Sequence, residues 1–314
     1  MVVPCRNEET TVAEVVTGFA KALPDATVYV FDNNSTDRTA ERALAAGAVV
    51  RHVDLPGKAN VVRRMFADVD ADCYVLVDGD ATYDPAAAPE LVEKVLVEGF
   101  DLANAAREPV KTEAFRRGHT FGNRLLGGLL GRFFGRPVGD VLSGYKACSR
   151  RLVKSFPVLS SGFEVESELM VHALMLHAKV TEVKTVYKER PPGSESKLGT
   201  YSDGIRILHT IINLVRQGRP LAFFSIAALV FAVAGVALGI PVLLTFLHTH
   251  KVPRLPTAVL ATGLEILAAL SLTAGLVLDT VSRSRREQRI LAYLSHSAPD
   301  LPVAQAEREE DDGC

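Results

Sequence analysis

The sequence predicts a mixed α/β domain followed by a pair of membrane-spanning helices. Short β-branched runs alternate with helical patterns from Met1 to about Lys188, the stretch between 220 and 278 is almost wholly apolar, and the charged residues fall mostly outside that stretch. A chain of 314 residues exceeds the usual single-domain size, so one domain plus an appendage is the natural organisation. The expected divisions are 1–202 for the α/β domain, 203–219 for an interfacial helix, 220–280 for two spans and 281–314 for a tail.

Taken in order, strands are expected over Met1 to Cys5, Thr27 to Phe31, Ala48 to His52, Cys73 to Val77, Asp101 to Ala106 and Lys179 to Tyr187, with helices between them. The chain begins inside the first strand, which suggests a few residues upstream. Thr10 to Leu23 carries Val12, Val15, Val16, Phe19 and Leu23 at helical spacing, and Pro24 stops it. Asp37 suits the start of a helix that runs through Ala46 and ends at Gly47. His172 and His177 fall on a helical pattern and are read as packed, not metal-bound.

Two basic amphipathic stretches follow the strands. Phe115 to Arg136 interleaves five arginines with leucines and phenylalanines, a pattern that suits either an anionic membrane surface or a core-packed surface helix, although its glycines disfavour a long regular helix. Asp203 to Arg219 places Ile205, Leu208, Ile211, Ile212 and Val215 on one face and is read as interfacial. Leu221 to Leu247 has no charged residue and as a helix reaches about 40 Å, enough to cross a bilayer. Leu255 to Leu278 is a second span interrupted by Glu265, an intramembrane carboxyl that suggests a functional, though not catalytic, or interhelical role, with protonation or pairing between subunits as alternatives. Arg206, Arg216 and Arg219 before the first span, and Arg283, Arg285, Arg286 and Arg289 after the second, put both termini on the cytoplasmic side. The end, rich in Glu and Asp, reads as disordered.

Composition excludes several classes. A formal net charge of −2 gives no basic footprint for nucleic acid. The four cysteines show no CxxC spacing and no His partner, so neither a zinc site nor a disulfide framework is expected, and they read as reduced thiols of a cytosol-facing domain. Met1 to Cys5 is followed at once by Arg6, Asn7, Glu8 and Glu9, which does not match a secretory leader.

The chemistry is carried by Asp78-Gly79-Asp80, directly after the apolar run Tyr74 to Val77. Ligands of α/β sheets bind at such strand ends, and two carboxylates one residue apart can hold a hard divalent cation against a diphosphate. An isolated pair of this kind is common in acidic turns, so its context decides. Val2-Val3-Pro4-Cys5-Arg6-Asn7-Glu8-Glu9, Asp32-Asn33-Asn34-Ser35-Thr36-Asp37, Asp78-Gly79-Asp80 and Asp140-Val141-Leu142-Ser143-Gly144-Tyr145 resemble, in order and spacing, the family 2 glycosyltransferases with the GT-A fold. Arg190-Pro191-Pro192-Gly193-Ser194-Glu195-Ser196-Lys197, followed by a two-helix anchor, is similar to the polyprenyl-phosphate members, such as dolichol-phosphate mannose synthase and its bacterial glucosyl relatives.

The resemblance implies inverting, single-displacement transfer of a hexose-type sugar from a nucleotide sugar to polyprenyl phosphate at the cytoplasmic (inner) membrane, with a UDP donor favoured over GDP. Pro4, Asn7, Glu8 and Asp32 are then expected around the nucleoside, and Asp78 and Asp80 on Mg or Mn. Arg190, Ser196 and Lys197 resemble the loop that clamps the phosphates, with Arg107 a further candidate. Asp140, and Glu164 or Glu166, are expected to orient cations or sugar hydroxyls. Where the mannose synthase pattern has a metal-touching Gln, this chain has Thr82, which is left out of the ligand set. A phosphate acceptor is already ionised near neutral pH, so no general base is required.

Other readings stay open at this level: a different lipid or glycan acceptor, a processive polysaccharide synthase (disfavoured by the absence of Trp), a nucleotidyltransferase, or a membrane-tethered nucleotide-sugar-binding scaffold. A homo-oligomer formed through the membrane helices is also compatible.

Overall fold

The computed structural model describes residues 1–109, 128, 139–159, 164–188, 190–191 and 220–298. The chain divides into two compact units, Met1–Gly204 with Arg289–Cys314, and Ile205–Gln288. Ser196, Lys197, the basic stretch Phe115 to Arg136 apart from Gly128, the expected interfacial helix 203–219 and the acidic end lie outside the described residues.

The first unit is built on β1 (Val2–Cys5), β2 (Tyr29–Asp32), β3 (Val49–His52), β4 (Cys73–Leu76), β5 (Leu102–Pro109), β6 (Lys146–Ser149) and β7 (Val180–Tyr187). They form one sheet in the order β3-β2-β1-β4-β6-β5-β7. Pairing is parallel except at β6, which runs antiparallel to both β4 and β5. Between the strands lie α1 (Val12–Ala22), α2 (Thr39–Ala45), α3 (Lys58–Asp68), α4 (Ala88–Leu96), α5 (Arg150–Ser155) and α6 (Val165–Met175).

The apolar pattern explains the layering. Val2, Val3, Val30, Phe31, Val75 and Leu76 are all buried, so the central strands are covered on both faces, as parallel strands with crossover helices require. On α1, Val12, Val15, Val16 and Phe19 form the buried stripe that the spacing predicted. Phe19, Tyr145, Tyr83 and Tyr187 then make a chain of edge-on ring contacts 5.3 to 5.5 Å apart. This chain ties α1 to the loop before β6, the loop after β4 and the end of β7. Gly47, with φ +94°, turns the chain out of α2 into β3.

The chain leaves β1 toward β2 and β3, then returns to place β4 on the other side of β1. Neighbouring connections therefore diverge at the carboxyl ends of β1 and β4, which opens a crevice there. In the register Cys5 lies opposite Asp32, and Val2 opposite Leu76. All three sequence motifs that follow β1, β2 and β4 thus open on the same edge of the sheet.

The six expected strands appear with ends shifted by a few residues, whereas β6 was not expected. It is four residues long with a lysine at its start, and neither length nor alternation marks such a run as a strand. Pairing on both edges, with Leu76 against Lys146 and Ala103 against Ala147, creates it.

In the second unit, α7 (Pro220–Thr249) and the start of α8 (Leu255–Leu294) are both long and apolar enough to cross a membrane. The two expected spans lie inside them. Small residues let the pair approach: a Cβ on Gly235 would meet Glu265 Oε1 at 2.5 Å, and one on Gly275 would meet Phe224 Cβ at 2.9 Å. Glu265 packs at Gly235.

Residues 281–294 of the expected tail are helical, because α8 runs to Leu294. Arginine, glutamate and glutamine are good helix formers, and no Gly or Pro interrupts them. Within the first unit Tyr293 OH donates to Asp101 Oδ2 at 2.8 Å, and the Arg151 guanidinium sits 4.7 Å from the Tyr293 ring centre.

Candidate active site

The loops after β1 and β2 are zipped together by their side chains. Asn7 takes a left-handed backbone with φ +53°, its N–H donates to Ser35 Oγ at 2.9 Å, and its Oδ1 accepts from Thr36 N–H at 2.8 Å. Glu8 is buried, and its N–H donates to Thr39 Oγ1 at 2.8 Å. Asp37, expected as the cap of the following helix, lies one residue too early: Arg38 stands at the N-cap without a capping side chain, and Asp37 Oδ1 accepts from Thr39 N–H at 3.0 Å. Asn7 and Glu8 therefore lie on one interlocked rim, next to Pro4 in β1 and Asp32 at the end of β2.

Asp32 is almost wholly buried at the end of β2. Its Oδ2 lies 3.1 Å from His52 Nδ1, while Oδ1 has no hydrogen-bond partner among the described residues. Next to it, Asn33 spends its side chain on the following loop, donating to Val53 O and Leu55 O and accepting from Gly57 N–H at 2.8 to 2.9 Å. That loop delivers Lys58, the first residue of α3.

Lys58 is the main site residue that the sequence reading missed. Its side chain is 11 % exposed, and its ammonium bridges Asp78, at 2.5 Å, and Glu166. Burial alone would push this amine down, but the charges of Asp78 and Glu166 hold it above its ordinary value. The Glu166 carboxyl is pushed up by burial, against the pull of Lys58. A cation at a helix N-terminus opposes the helix dipole, so Gly57-Lys58 at the head of α3 was a local inconsistency of the kind that marks function. Glu166 is brought into the site by α6, and Glu164 stands just before that helix.

Asp78 and Asp80 follow β4 at the crevice. Gly79 packs on β1, where a Cβ would come 2.5 Å from Cys5 Sγ. Thr11 Oγ1 donates to Gly79 O at 2.7 Å, so the start of α1 holds the turn. Gly144 lies so close to Asp78 that a Cβ there would stand 2.8 Å from its Cγ. Its N–H donates to Tyr83 OH at 2.8 Å.

Asp80 is 3 % exposed and its two oxygens are separately engaged. Oδ1 accepts from Thr82 Oγ1 at 2.6 Å and from Thr82 N–H, whereas Oδ2 pairs with Arg190 at 2.7 Å. Arg190 reaches this point because the end of β7 is stitched to the Asp80 loop, by a bridge between Tyr83 and Tyr187 and by Lys188 N–H donating to Thr82 O.

Arg107 and Asp140 form a forked pair at 2.7 and 2.8 Å, with Arg107 N–H on the same carboxylate. Burial would raise the Asp140 carboxyl, but Arg107 holds it below the usual carboxylate range. Behind the pair, Asn104 donates to Asp140 O at 2.8 Å and accepts from the fully buried Lys146, whose amine burial lowers to about 8. Sequence reasoning missed Lys146 together with its strand.

Two hard carboxylates one residue apart at a strand end are the donor type a divalent cation takes; here each is paired with a cationic side chain, and Gly144 makes room for the Asp78 carboxylate. Among the described residues no group of three or more His, Cys, Asp or Glu forms a cation site. A cation here would complete its shell with phosphate oxygens and water, as magnesium does at diphosphate sites.

The chain is similar to known proteins in sequence and fold. The family described as Glycosyl transferase family 2 matches residues 1–156. The glycosyltransferase AglJ of Haloferax volcanii is 29 % identical over 287 residues, covering 91 % of this chain and 94 % of AglJ. A dolichol-phosphate mannosyltransferase of Pyrococcus furiosus is 25 % identical, covering 73 % of this chain and 68 % of its own. The solved glucosyl-3-phosphoglycerate synthase of Mycobacterium tuberculosis, in complex with Mn2+, UDP-glucose and phosphoglyceric acid, superposes with a TM-score of 0.55 at 29 % identity, covering 67 % of this chain and 77 % of that one.

Proposed function

Because the chain belongs to glycosyl transferase family 2, we propose that it moves a hexose-type sugar from a nucleotide sugar, UDP-linked in preference to GDP-linked, onto a polyprenyl phosphate, with inversion. The observation that carries this reading is the opposed charge at the crevice, Asp78 with Lys58 and Asp80 with Arg190. Paired carboxylates and cationic side chains are what a diphosphate leaving group and a phosphate acceptor need if they are to meet in one site. The similarity to a dolichol-phosphate mannosyltransferase and the two apolar helices support a lipid-linked phosphate as acceptor.

On this reading Asp78 and Asp80 hold Mg or Mn, which when bound offsets the charge growing on the departing diphosphate. The chain's own groups do the rest. Asp32, beside Pro4, Asn7 and Glu8, receives the nucleoside. Glu166, set in place by Lys58, faces the sugar, and Arg190 with Ser196 and Lys197 steadies the phosphates. Arg107, clamped by Asp140, is a further cation for the phosphates. The acceptor phosphate attacks the anomeric carbon without a general base, so positioning and electrostatics supply the acceleration. Both termini and the catalytic domain lie on the cytoplasmic side of the inner membrane in this reading, and the helices can also join copies into a homo-oligomer.

Membranes containing the protein, given radiolabelled nucleotide sugars, Mg or Mn and undecaprenyl or dolichyl phosphate, should yield label that extracts into organic solvent and disappears with EDTA. Intact UDP or GDP binding without a lipid product from any donor would overturn the reading in favour of a nucleotide-sugar-binding scaffold. Gly144→Ala should weaken UDP binding in the presence of Mn2+ by about tenfold or more, because its methyl must displace the Asp78 carboxylate and such overpacking costs about 1–3 kcal/mol. Isothermal titration checks this, and an unchanged UDP affinity would separate Asp78 from the donor site.

A further inference from the structure

We propose that Arg190 is a displaceable counter-ion on Asp80, which must leave before a divalent cation binds and is thereby released to the donor's diphosphate. The inference rests on the metal role of Asp80 in the reading above and deepens it. Asp80 has two carboxylate oxygens, and Thr82 pins one of them with both its hydroxyl and its N–H. The other is held by the Arg190 guanidinium at 2.7 Å. A cation approaching from the crevice therefore finds its oxygen occupied by a side chain of the protein itself.

The two ends of this contact differ in exposure. Asp80 is 5 % exposed at its side chain and sits in a turn fixed by β4, Thr82 and Thr11. Arg190 is 31 % exposed at its side chain and lies beyond the end of β7, three residues after Tyr187. When the pair opens, it is the arginine that moves. A guanidinium expelled from Asp80 remains beside the position of the cation-bound diphosphate, where its planar fork suits phosphate oxygens. Cation arrival and phosphate clamping then become one exchange, and Arg190 guards the buried carboxylate until the donor arrives.

The apparent cation affinity of such a site is reduced by the fraction of molecules in which Arg190 is off Asp80. Removing the guanidinium should therefore tighten the binding of a free cation while weakening the capture of nucleotide. The test titrates Mn2+ into the purified full-length protein in detergent, with free Mn2+ read by electron paramagnetic resonance, first alone and then with UDP. Arg190→Gln is expected to bind Mn2+ alone roughly two- to fivefold more tightly than wild type, the range for a partly exposed ion pair. It is also expected to bind UDP in the presence of Mn2+ several-fold more weakly. Asp80→Asn serves as the reference and should lose Mn2+ binding. If Asp80→Asn loses Mn2+ but Arg190→Gln binds it no better than wild type, the exchange is wrong and the metal role of Asp80 stands. If Asp80→Asn binds Mn2+ as wild type does, the metal role fails and the exchange fails with it.

Discussion

Asp80→Asn is expected to lower sugar transfer by roughly a thousandfold or more, the largest single effect anticipated for this enzyme. The change keeps volume and leaves an oxygen able to accept from Thr82, so the turn after β4 has no steric reason to move. What it removes is the negative charge that faces Arg190 in this structure and, in the proposed reaction, the metal. Losing one preorganised group on the charge that develops in a transition state costs about 10²–10³ in rate, and loss of a metal ligand affects every later step at that metal. Stability should change by no more than about 1 kcal/mol, because the Arg190 partner is partly exposed. Initial rates across a Mn2+ titration, beside thermal unfolding, check both halves. A loss below tenfold at saturating Mn2+ would remove Asp80 from the chemistry.

Much of this site was legible because its acidic half is local. Asp32 and the pair Asp78 and Asp80 each stand at the end of an apolar strand, so hydrophobic periodicity and strand-end geometry locate them, and the family resemblance of the surrounding motifs separates them from ordinary acidic turns. The two apolar helices were legible for the same reason, since a long uncharged run needs no partner to be recognised. The basic half was only partly legible. Arg190 was read from a loop resemblance, but its seat on Asp80 depends on β7 ending beside Thr82 and Tyr83. Lys58 and Glu166 lie 108 positions apart and meet only because α3 and α6 deliver them to one side of Asp78. Lys146 was invisible because its strand exists only by pairing with two neighbours. Side chains whose partners come from distant elements leave no periodic trace.

Lys58→Met, the second large effect, should reduce both stability and transfer, and its pH dependence identifies the cause. The ammonium is buried between two carboxylates, with Glu166 itself 6 % exposed. Deleting one partner of a buried ion pair costs about 3–5 kcal/mol, since the remaining charges are left without compensation. Glu166 is already pushed up by burial with Lys58 opposing that shift, so removing the amine raises the carboxyl further. The folded variant then retains a proton that the unfolded chain has lost above about pH 4.3. Stability must therefore fall as pH rises through the window between the unfolded and folded values. Denaturant unfolding in EDTA should show the deficit of Lys58→Met relative to wild type shrinking from pH 8 to pH 5. Adding Glu166→Gln should restore part of the loss at pH 8, because it removes one of the two orphaned charges. A deficit that neither narrows at low pH nor responds to Glu166→Gln would mean that Lys58 acts through packing of its aliphatic stem, and the electrostatic account of the basic half of the site would have to be abandoned.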